Sequence, residues 1–263
     1  MKTLRTIAEV RAELAGRGEI GLVPTMGAFH EGHLSLIRAA RAENEVLVVS
    51  LFVNPAQFDE QADLAAYPRD EARDGRLAEE AGVDVLFAPP YTEMYPPCHE
   101  TWVDVERLGA DLEGAHRPGH FRGVATICLK LFNIVHPRRA YFGQKDAQQV
   151  AVVRRLIEDL NLEVELRALP TVRDPDGLAL SSRNARLSRE EREQALALPS
   201  ALATGAEAFR LGRDAVAATR AQLNGLTEDY VAVLHTDNAT LLTAAVRVGE
   251  TRLIDNVLLK GEL

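Results

Sequence analysis

The feature that most constrains the fold is a predominantly apolar, β-branched run, VLVVSLFV, from Val46 to Val53. The polar residues Glu45 and Asn54 bound it, which is typical of a strand buried on both faces of a parallel sheet. A half-exposed antiparallel strand would instead alternate apolar and polar side chains. The run therefore predicts an α/β protein in which helices cover both faces of the sheet.

Strand and helix patterns alternate along the first two thirds of the chain. Thr6 and Glu9 form a capping-box pattern that opens a helix in the N-terminal segment MKTLRTIAEVRAELAGRG, and Gly18 is placed to end it. Further strands are predicted at 19–24, 83–87, 140–142 and 163–169, and further helices at 33–42, 70–81, 124–135 and 146–160. This β-α-β order predicts a Rossmann-like, doubly wound parallel sheet.

The pattern changes near Pro170. Two Ala-rich helices follow, the first opened by a second capping box at Ser188 and Glu191, then strands at 230–234 and 244–248 and a last apolar piece around 253–259. Helices followed by strands are typical of an α+β arrangement. We therefore predict two domains, a Rossmann-like domain over 1–171 and a smaller C-terminal α+β domain over 172–263.

The composition argues against several classes of protein: nucleic-acid-binding, disulfide-rich, membrane and secreted proteins. The 263 residues include 30 Lys and Arg against 39 Asp and Glu, a formal net charge of −9, whereas proteins that grip nucleic acid are usually basic. The two cysteines, Cys98 and Cys128, are too few and too far apart for a disulfide framework. Apolar runs are too short to span a membrane, and the N-terminal segment is too charged for a signal peptide. We expect a soluble, cytoplasmic protein without nucleic-acid or membrane partners.

The segment PTMGAFHEGH, from Pro24 to His33, follows the first predicted strand. Gly27 permits a tight turn, and the N-terminus of the next helix offers unpaired N–H groups to an anion. His30 and His33 are spaced to face one cleft from the first helical turn. A zinc site is disfavoured, because the metalloprotease motif HExxH separates its histidines by four positions.

Further blocks occur in a fixed order: FVNPAQF at 52–58, YPRD at 67–70, LEGAHRPGHFRGV at 112–124, FGQKDAQQ at 142–149 and LALSSRN at 178–184. The His30–His33 element resembles the HxGH motif of the nucleotidyltransferase superfamily. Together with the other blocks, it is similar to the pantoate–β-alanine ligase family, over most of residues 20–185.

The resemblance implies an ATP-dependent condensation of (R)-pantoate with β-alanine. A pantoyl-adenylate intermediate and pyrophosphate form first, and β-alanine then displaces AMP to give pantothenate. The resemblance also implies Mg²⁺, held mainly by the ATP phosphates without a dedicated protein site, and a homodimer formed through the N-terminal domain.

The resemblance also assigns site residues. It implies catalytic roles for His33, His30, Lys145 and Arg183. It implies ATP contacts for Pro24, Thr25, Met26, Gly27, His30, His33, Gly143, Gln144, Lys145, Asp146, Val172, Leu180, Ser181, Ser182 and Arg183. Asn54, Gln57 and Gln149 are expected to bind pantoate or β-alanine, and Tyr67, Asp74, Glu113, Arg117 and His120 are weaker candidates.

Several of these residues carry open questions. Asp74 is either a magnesium or ribose contact or a solvated aspartate on a helix face. Glu113, Arg117 and His120 serve either the active site or a dimer interface. Gln144 stands where many family members have Glu, which argues against acid–base chemistry by this side chain. LSSRN corresponds to the KMSKS-like loop of the superfamily, which suggests that the C-terminal domain is a lid over ATP.

Two alternatives stay open at this point. One is another nucleotidyltransferase, such as a cytidylyltransferase or a phosphopantetheine adenylyltransferase, although these lack the FVNPxQF and GxKDxQQ blocks. The other is a non-catalytic nucleotide-binding regulator, although a pure binder has no need of His30, His33, Lys145 and Arg183 together.

Overall fold

The computed structural model describes residues 1–59 and 61–263. The chain divides into two compact units, one formed by 1–142 with 152–169 and the other by 143–151 with 170–263. The segment 143–151 thus clusters with the second unit although it precedes the change of sequence pattern near residue 170.

Up to residue 169, each strand is followed by one or more helices, and every strand and helix predicted there from the sequence is present. The strands are β1 (Lys2–Leu4), β2 (Ile20–Thr25), β3 (Val46–Leu51), β4 (Val85–Phe87), β5 (Arg139–Gly143) and β6 (Glu165–Leu169). The helices are α1 (Ile7–Leu14), α2 (Glu31–Glu43), α3 (Gln61–Ala66), α4 (Glu71–Glu80), α5 (Tyr91–Met94), α6 (Glu113–His116), α7 (His120–Val135) and α8 (Ala147–Asp159). Short 3₁₀ turns lie at Pro55–Gln57 and Gln144–Asp146.

The six strands form one parallel sheet in the order β1-β4-β3-β2-β5-β6. β3 lies inside this sheet between β2 and β4, and Val46 to Val49 are fully or almost fully buried. The chain runs outward from β2 through β3 to β4 and then returns to β5 on the other side of β2. Ligands of doubly wound sheets bind at the carboxyl ends of the strands near such a reversal.

The N-terminal segment differs from its prediction. Lys2–Leu4 is an edge strand paired in parallel with Val85–Phe87. It was not predicted because three residues are too few to show whether a segment has the periodicity of a strand or of a helix. The Thr6–Glu9 capping box is confirmed, but α1 ends at Leu14. Gly16, with φ of +71°, follows this end, so the prediction of Gly18 as the stop is wrong.

The second unit contains an antiparallel sheet and a group of helices. A third 3₁₀ turn lies at Ser182–Arg186 and precedes α9 (Arg189–Ala195), α10 (Ala197–Arg210) and α11 (Ala215–Arg220). The sheet has the order β7 (Thr227–His235), β8 (Ala239–Val248) and β9 (Thr251–Gly261). Leu198 and Leu202 of α10 share one apolar core with Leu242 and Val246 of β8. The predicted α/β sheet with a smaller α+β part is therefore confirmed.

The predicted capping box at Ser188 and Glu191 opens α9. In the described part of the chain, we find no helix with the length and apolar character needed to cross a membrane.

Candidate active site

The loop between β2 and α2 is held in an unusual backbone conformation. Gly27 has φ of +88° and Ala28 has φ of +54°. A Cβ atom on Gly27 would lie 2.7 Å from Leu51 Cδ1 and 2.9 Å from Asp74 Oδ2. Both the positive φ and the crowding therefore require glycine here, as the turn prediction anticipated.

Asp74 of α4 fixes this loop through its carboxylate. Oδ2 accepts a hydrogen bond from the Ala28 N–H at 2.7 Å, and Oδ1 accepts one from the Phe29 N–H at 2.8 Å. The side chain is only 1% exposed, so the interpretation of Asp74 as a solvated residue on a helix face is wrong. A contact of Asp74 with magnesium or ribose stays a prediction, while both oxygens bind the loop backbone.

His30 and His33 lie together at the N-terminus of α2. His30 is the N-cap residue, and its Nδ1 accepts a hydrogen bond from the Gly32 N–H at 3.1 Å. His33 Nδ1 accepts one from the His30 N–H at 3.4 Å, and the two ring centroids are 4.2 Å apart. Because Nδ1 accepts in both rings, the neutral imidazoles carry their proton on Nε2. Each ring is thereby set up to donate from Nε2, the polarity that an anionic phosphate requires.

The turn after β3 places Asn54 and Gln57 beside the β2–α2 loop. Asn54 Nδ2 donates to Gln57 Oε1 and to Gly123 O, each at 3.1 Å. Gln57 Nε2 lies 3.1 Å from the sulfur of Met26, in the loop that leads to the two histidines at the start of α2. A Cβ atom on Gly123 would lie 2.3 Å from Ala56 O, so glycine allows α7 to approach this turn. The predicted residues Met26, Asn54 and Gln57 thus lie together.

Arg117 and His120 contact the backbone of the same turn. His120 Nδ1 lies 2.8 Å from Gln57 O, and Arg117 Nη2 donates to that carbonyl at 3.2 Å. Arg117 Nη1 and His120 Nε2 are 3.3 Å apart. These two side chains therefore hold the Gln57 backbone. Of the two alternatives, active site or dimer interface, this contact favours the active site. Glu113, in the same polar segment, is buried at the start of α6.

Two tyrosines near this turn are buried. Tyr67 packs edge-on against Phe58, with ring centroids 5.7 Å apart. Burial raises the pKa of Tyr95, whose ring centroid lies 6.3 Å from that of Phe52. The Tyr95 phenol therefore loses its proton at a higher pH than an ordinary tyrosine does.

In the second unit, the 3₁₀ turn Gln144–Asp146 carries Lys145. The Lys145 ammonium lies 3.7 Å from Asp146 Oδ1. Asn256 of β9 donates from Nδ2 to Gln144 O and to Lys145 O, each at 2.9 Å, and accepts from Gln144 Nε2 at 3.2 Å. The turn is therefore attached to β9 by three side-chain hydrogen bonds. Gln149 follows it, partly buried, in the first turn of α8.

The segment 172–186 is tied to the same strand. Arg173 donates from Nη1 and Nη2 to the two carboxylate oxygens of Asp255, at 2.7 and 3.0 Å. Leu180 N–H donates to Val172 O at 3.0 Å, and Ser181 Oγ accepts from the Arg183 N–H at 3.2 Å. Ser182 and Arg183 lie in the 3₁₀ turn that Ser181 caps.

The sequence motifs do not predict Arg173, Asp255 or Asn256 as residues of the site. The available signal was the polar pair Asp255–Asn256 inside the apolar pattern predicted at 253–259. Buried polar side chains need hydrogen-bond partners, so such a pair in a strand indicates a specific contact. Among the described residues, no group of three or more His, Cys, Asp or Glu side chains is placed to hold a metal ion.

The sequence profile of the family described as pantoate–β-alanine ligase matches residues 2–258. The chain belongs to this family. It is 51% identical to the pantothenate synthetase of Roseiflexus castenholzii, over 99% of this chain and 100% of that protein. It is 52% identical to the pantothenate synthetase of Moorella thermoacetica, with 99% of each chain covered.

Solved structures of pantoate–β-alanine ligases have the same fold. The pantothenate synthetase of Thermus thermophilus superposes with a TM-score of 0.94 at 47% identity, over 99% of this chain and 100% of that chain. The Francisella tularensis ligase, solved in complex with β,γ-ATP and β-alanine, gives a TM-score of 0.84 at 34% identity, over 98% of both chains. The predicted family is therefore confirmed.

Proposed function

We propose that this protein condenses (R)-pantoate with β-alanine at the expense of ATP, by way of pantoyl adenylate. The observation that carries the proposal is its membership of the pantoate–β-alanine ligase family, since the match extends over residues 2–258. The relatives at about half identity, which bear the name pantothenate synthetase, are matched over nearly their whole length.

In the first step, a pantoate carboxylate oxygen bonds to the α-phosphorus of ATP. The bond from this phosphorus to the oxygen that bridges the α- and β-phosphates breaks, and pyrophosphate leaves with that oxygen. The carboxylate is already ionised at neutral pH, since carboxyl pKa values lie near ~4. The step therefore needs no general base. It needs positioned donors where negative charge develops on the α-phosphate and on the leaving pyrophosphate.

The histidine pair supplies donors of this kind in the proposed mechanism. His30 and His33 accept backbone N–H groups at Nδ1, so the neutral rings carry their protons on Nε2. α2 is 13 residues long, and the positive end of its dipole adds to this field. Lys145 and Arg183 supply fixed positive charge for the β- and γ-phosphates, and Arg183 offers a bidentate fork.

In the second step, the uncharged amine of β-alanine attacks the pantoyl carbonyl carbon. A C–N bond forms, the bond between this carbon and the phosphate oxygen breaks, and AMP leaves with the electron pair while the nitrogen loses a proton. We assign pantoate and β-alanine recognition to Asn54, Gln57 and Gln149. Their side-chain amides both donate and accept, as a hydroxyl-bearing carboxylate requires.

Several features of the proposal come from the family resemblance. Mg²⁺ enters as the ATP complex, with phosphate and water oxygens as its main ligands. The Rossmann-like domain 1–171 binds nucleotide and pantoate, and 172–263 is the lid domain. The protein is a cytoplasmic homodimer that pairs through its N-terminal domain.

Isotope exchange between pyrophosphate and ATP tests the function. We expect exchange that requires pantoate, and AMP release only after β-alanine is added. His33→Ala lowers the exchange rate by about 10²–10³-fold, because one transition-state donor is lost. His235→Ala, which alters an exposed histidine of β7, serves as the matched control.

Two outcomes would contradict the proposal. Exchange that needs no pantoate would indicate a nucleotidyltransferase with another acceptor. ATP binding without any exchange would indicate a regulator that has kept the pocket and lost turnover.

A further inference from the structure

Strand β9 carries two adjacent polar residues that are almost completely buried. Asp255 is 1% exposed and Asn256 is 2% exposed, in a strand whose other predicted positions are mostly apolar. Successive side chains of a strand point to opposite faces, so the two residues serve different neighbours. Asp255 binds Arg173, and Asn256 binds the turn that carries Lys145.

Asn256 contacts the turn through both ends of its side-chain amide. Its Nδ2 group donates two hydrogen bonds, to Gln144 O and Lys145 O, and its Oδ1 accepts one from Gln144 Nε2. Positions 144 and 256 are separated by 112 residues, so this contact exists only in the folded chain. An aspartate could not replace it, because a carboxylate has no N–H to donate to the two carbonyls.

The contact fixes the point from which the Lys145 side chain starts. Hydrogen bonds to the Gln144 and Lys145 carbonyls hold the two peptide groups on either side of the Lys145 Cα atom. The Lys145 side chain is itself only 18% exposed. Both its backbone and the space open to its side chain are therefore restricted. Electrostatic stabilisation of a transition state depends on such preorganisation, because the positive charge must already lie where negative charge develops on the reacting phosphate.

We propose that Asn256 is a positioning residue that holds the 143–146 turn so that Lys145 meets the phosphates of ATP. The inference rests on the proposed function, in which Lys145 stabilises adenylate formation. The same bonds give Gln144 a place in this arrangement, because its amide nitrogen donates to Asn256 and a glutamate at this position would have no such proton.

A double-mutant cycle tests the proposal. We compare Asn256→Ala, Lys145→Ala and the double variant for the rate of pantoate-dependent pyrophosphate exchange. A misplacement of about 1 Å can cost about 100-fold in rate, and we expect a loss of about 30–100-fold for Asn256→Ala. Because Asn256 acts through Lys145, the double variant is expected to be no slower than Lys145→Ala alone.

Two further variants separate positioning from general destabilisation. Thr243→Ala alters the residue directly opposite Asn256 on β8 and serves as the matched control, with expected exchange within about twofold of the wild type. Asn256→Asp keeps the size of the side chain but cannot donate, and we expect it to be as slow as Asn256→Ala. All rates are measured well below the melting temperature of each variant. Should Asn256→Ala not fold, Asn256→Ser, which retains one donor, takes its place in the cycle.

Some outcomes would overturn the proposal. The first is a double variant whose exchange rate is reduced by the product of the two single-variant reductions. The second is a reduction of the exchange rate in Thr243→Ala equal to that in Asn256→Ala. The third is a wild-type exchange rate in Asn256→Asp. A wild type that shows no pantoate-dependent exchange would disprove the proposed function instead. The same cycle is then measured on ATP affinity by calorimetry, where non-additive losses support the positioning role and additive losses reject it.

Discussion

Asp74 is a single buried carboxylate that holds the backbone of the loop between β2 and α2. Its two oxygens accept from the consecutive N–H groups of Ala28 and Phe29, which follow the left-handed Gly27. Arg73 Nη1 lies 3.5 Å from the same carboxylate and adds a partner charge. The loop conformation, and through it the start of α2 with His30, therefore depends on α4.

Replacing Asp74 by Asn tests this role. The amide presents one N–H₂ group where an acceptor is needed, so one backbone N–H of the loop loses its partner. We expect a loss of about 1–3 kcal/mol in the free energy of unfolding. We also expect slower pyrophosphate exchange by at least ~10-fold, because the histidines lose their fixed starting point. Urea unfolding and exchange assays measure the two effects.

Glu80→Gln is the matched control for this prediction, since it removes a carboxylate from the exposed end of the same helix. Equal exchange rates in Asp74→Asn and Glu80→Gln would show that Asp74 does not position the loop.

At the scale of elements, β9 anchors two loops of the second unit that carry predicted site residues. Asn256 holds the 3₁₀ turn at 144–146, and Asp255 holds the segment that begins at Val172 through its paired hydrogen bonds with Arg173. Arg173 also donates to Gly177 O at 3.1 Å, which closes the turn between 174 and 178. An apolar strand alone could pack the sheet, but it could not fix the backbone of two separate loops.

Asp255→Ala measures the Arg173 anchor. The substitution leaves a partly buried guanidinium without its two charged hydrogen bonds, and we expect a loss of about 2–3 kcal/mol in the free energy of unfolding. Glu207→Ala breaks the exposed Glu207–Arg210 pair of α10 and is expected to cost below about 1 kcal/mol. Equal losses in the two variants, measured by urea unfolding, would contradict an anchoring role for Asp255.

At the scale of the whole molecule, the net charge and the charge of the proposed site have opposite signs. The formal net charge summed over the chain is −9, whereas the residues that the proposed function assigns to the ATP phosphates, His30, His33, Lys145 and Arg183, are basic. Net charge alone argues against nucleic-acid binding, but it carries no information about a local basic site.

Stability at alkaline pH offers a test at the same scale. Tyr141 is buried, donates to Glu43 Oε2 at 2.9 Å and accepts from Asn44 Nδ2 at 2.7 Å. Burial raises the pKa of Tyr141 to about 12, above the ordinary tyrosine value of 10.0. Its contribution to stability is therefore complete below pH ~10 and is lost as the pH rises through ~12, because the unfolded chain releases the proton first.

We expect the free energy of unfolding of the wild type, measured with urea, to fall between pH ~10 and ~12, by up to about 1.4 kcal/mol per pH unit from this residue. Tyr141→Phe should show a shallower fall, whereas Tyr91→Phe, at an exposed tyrosine, should follow the wild type. Identical pH dependence in all three proteins would show that Tyr141 is not linked to folding.

Much of the fold follows from local pattern. The buried run at β3, the capping boxes at Thr6 and Ser188, and the helix–strand alternation predicted the elements, because each depends on residues within a few positions of one another. β1 escaped prediction because three residues are too few to show a period, and it forms only by pairing with the distant strand β4.

The sequence by itself determined the parallel sheet and the family, since periodicity and short motifs show them, and it predicted which side chains carry the chemistry. The tertiary structure decided what holds those side chains. It buried Asp74 against the Gly27 loop, placed Arg117 and His120 on the Gln57 carbonyl, and attached the Lys145 turn to Asn256. Each of these contacts joins residues that lie 46 to 111 positions apart, and no local pattern encodes a hydrogen bond whose two partners meet only after folding.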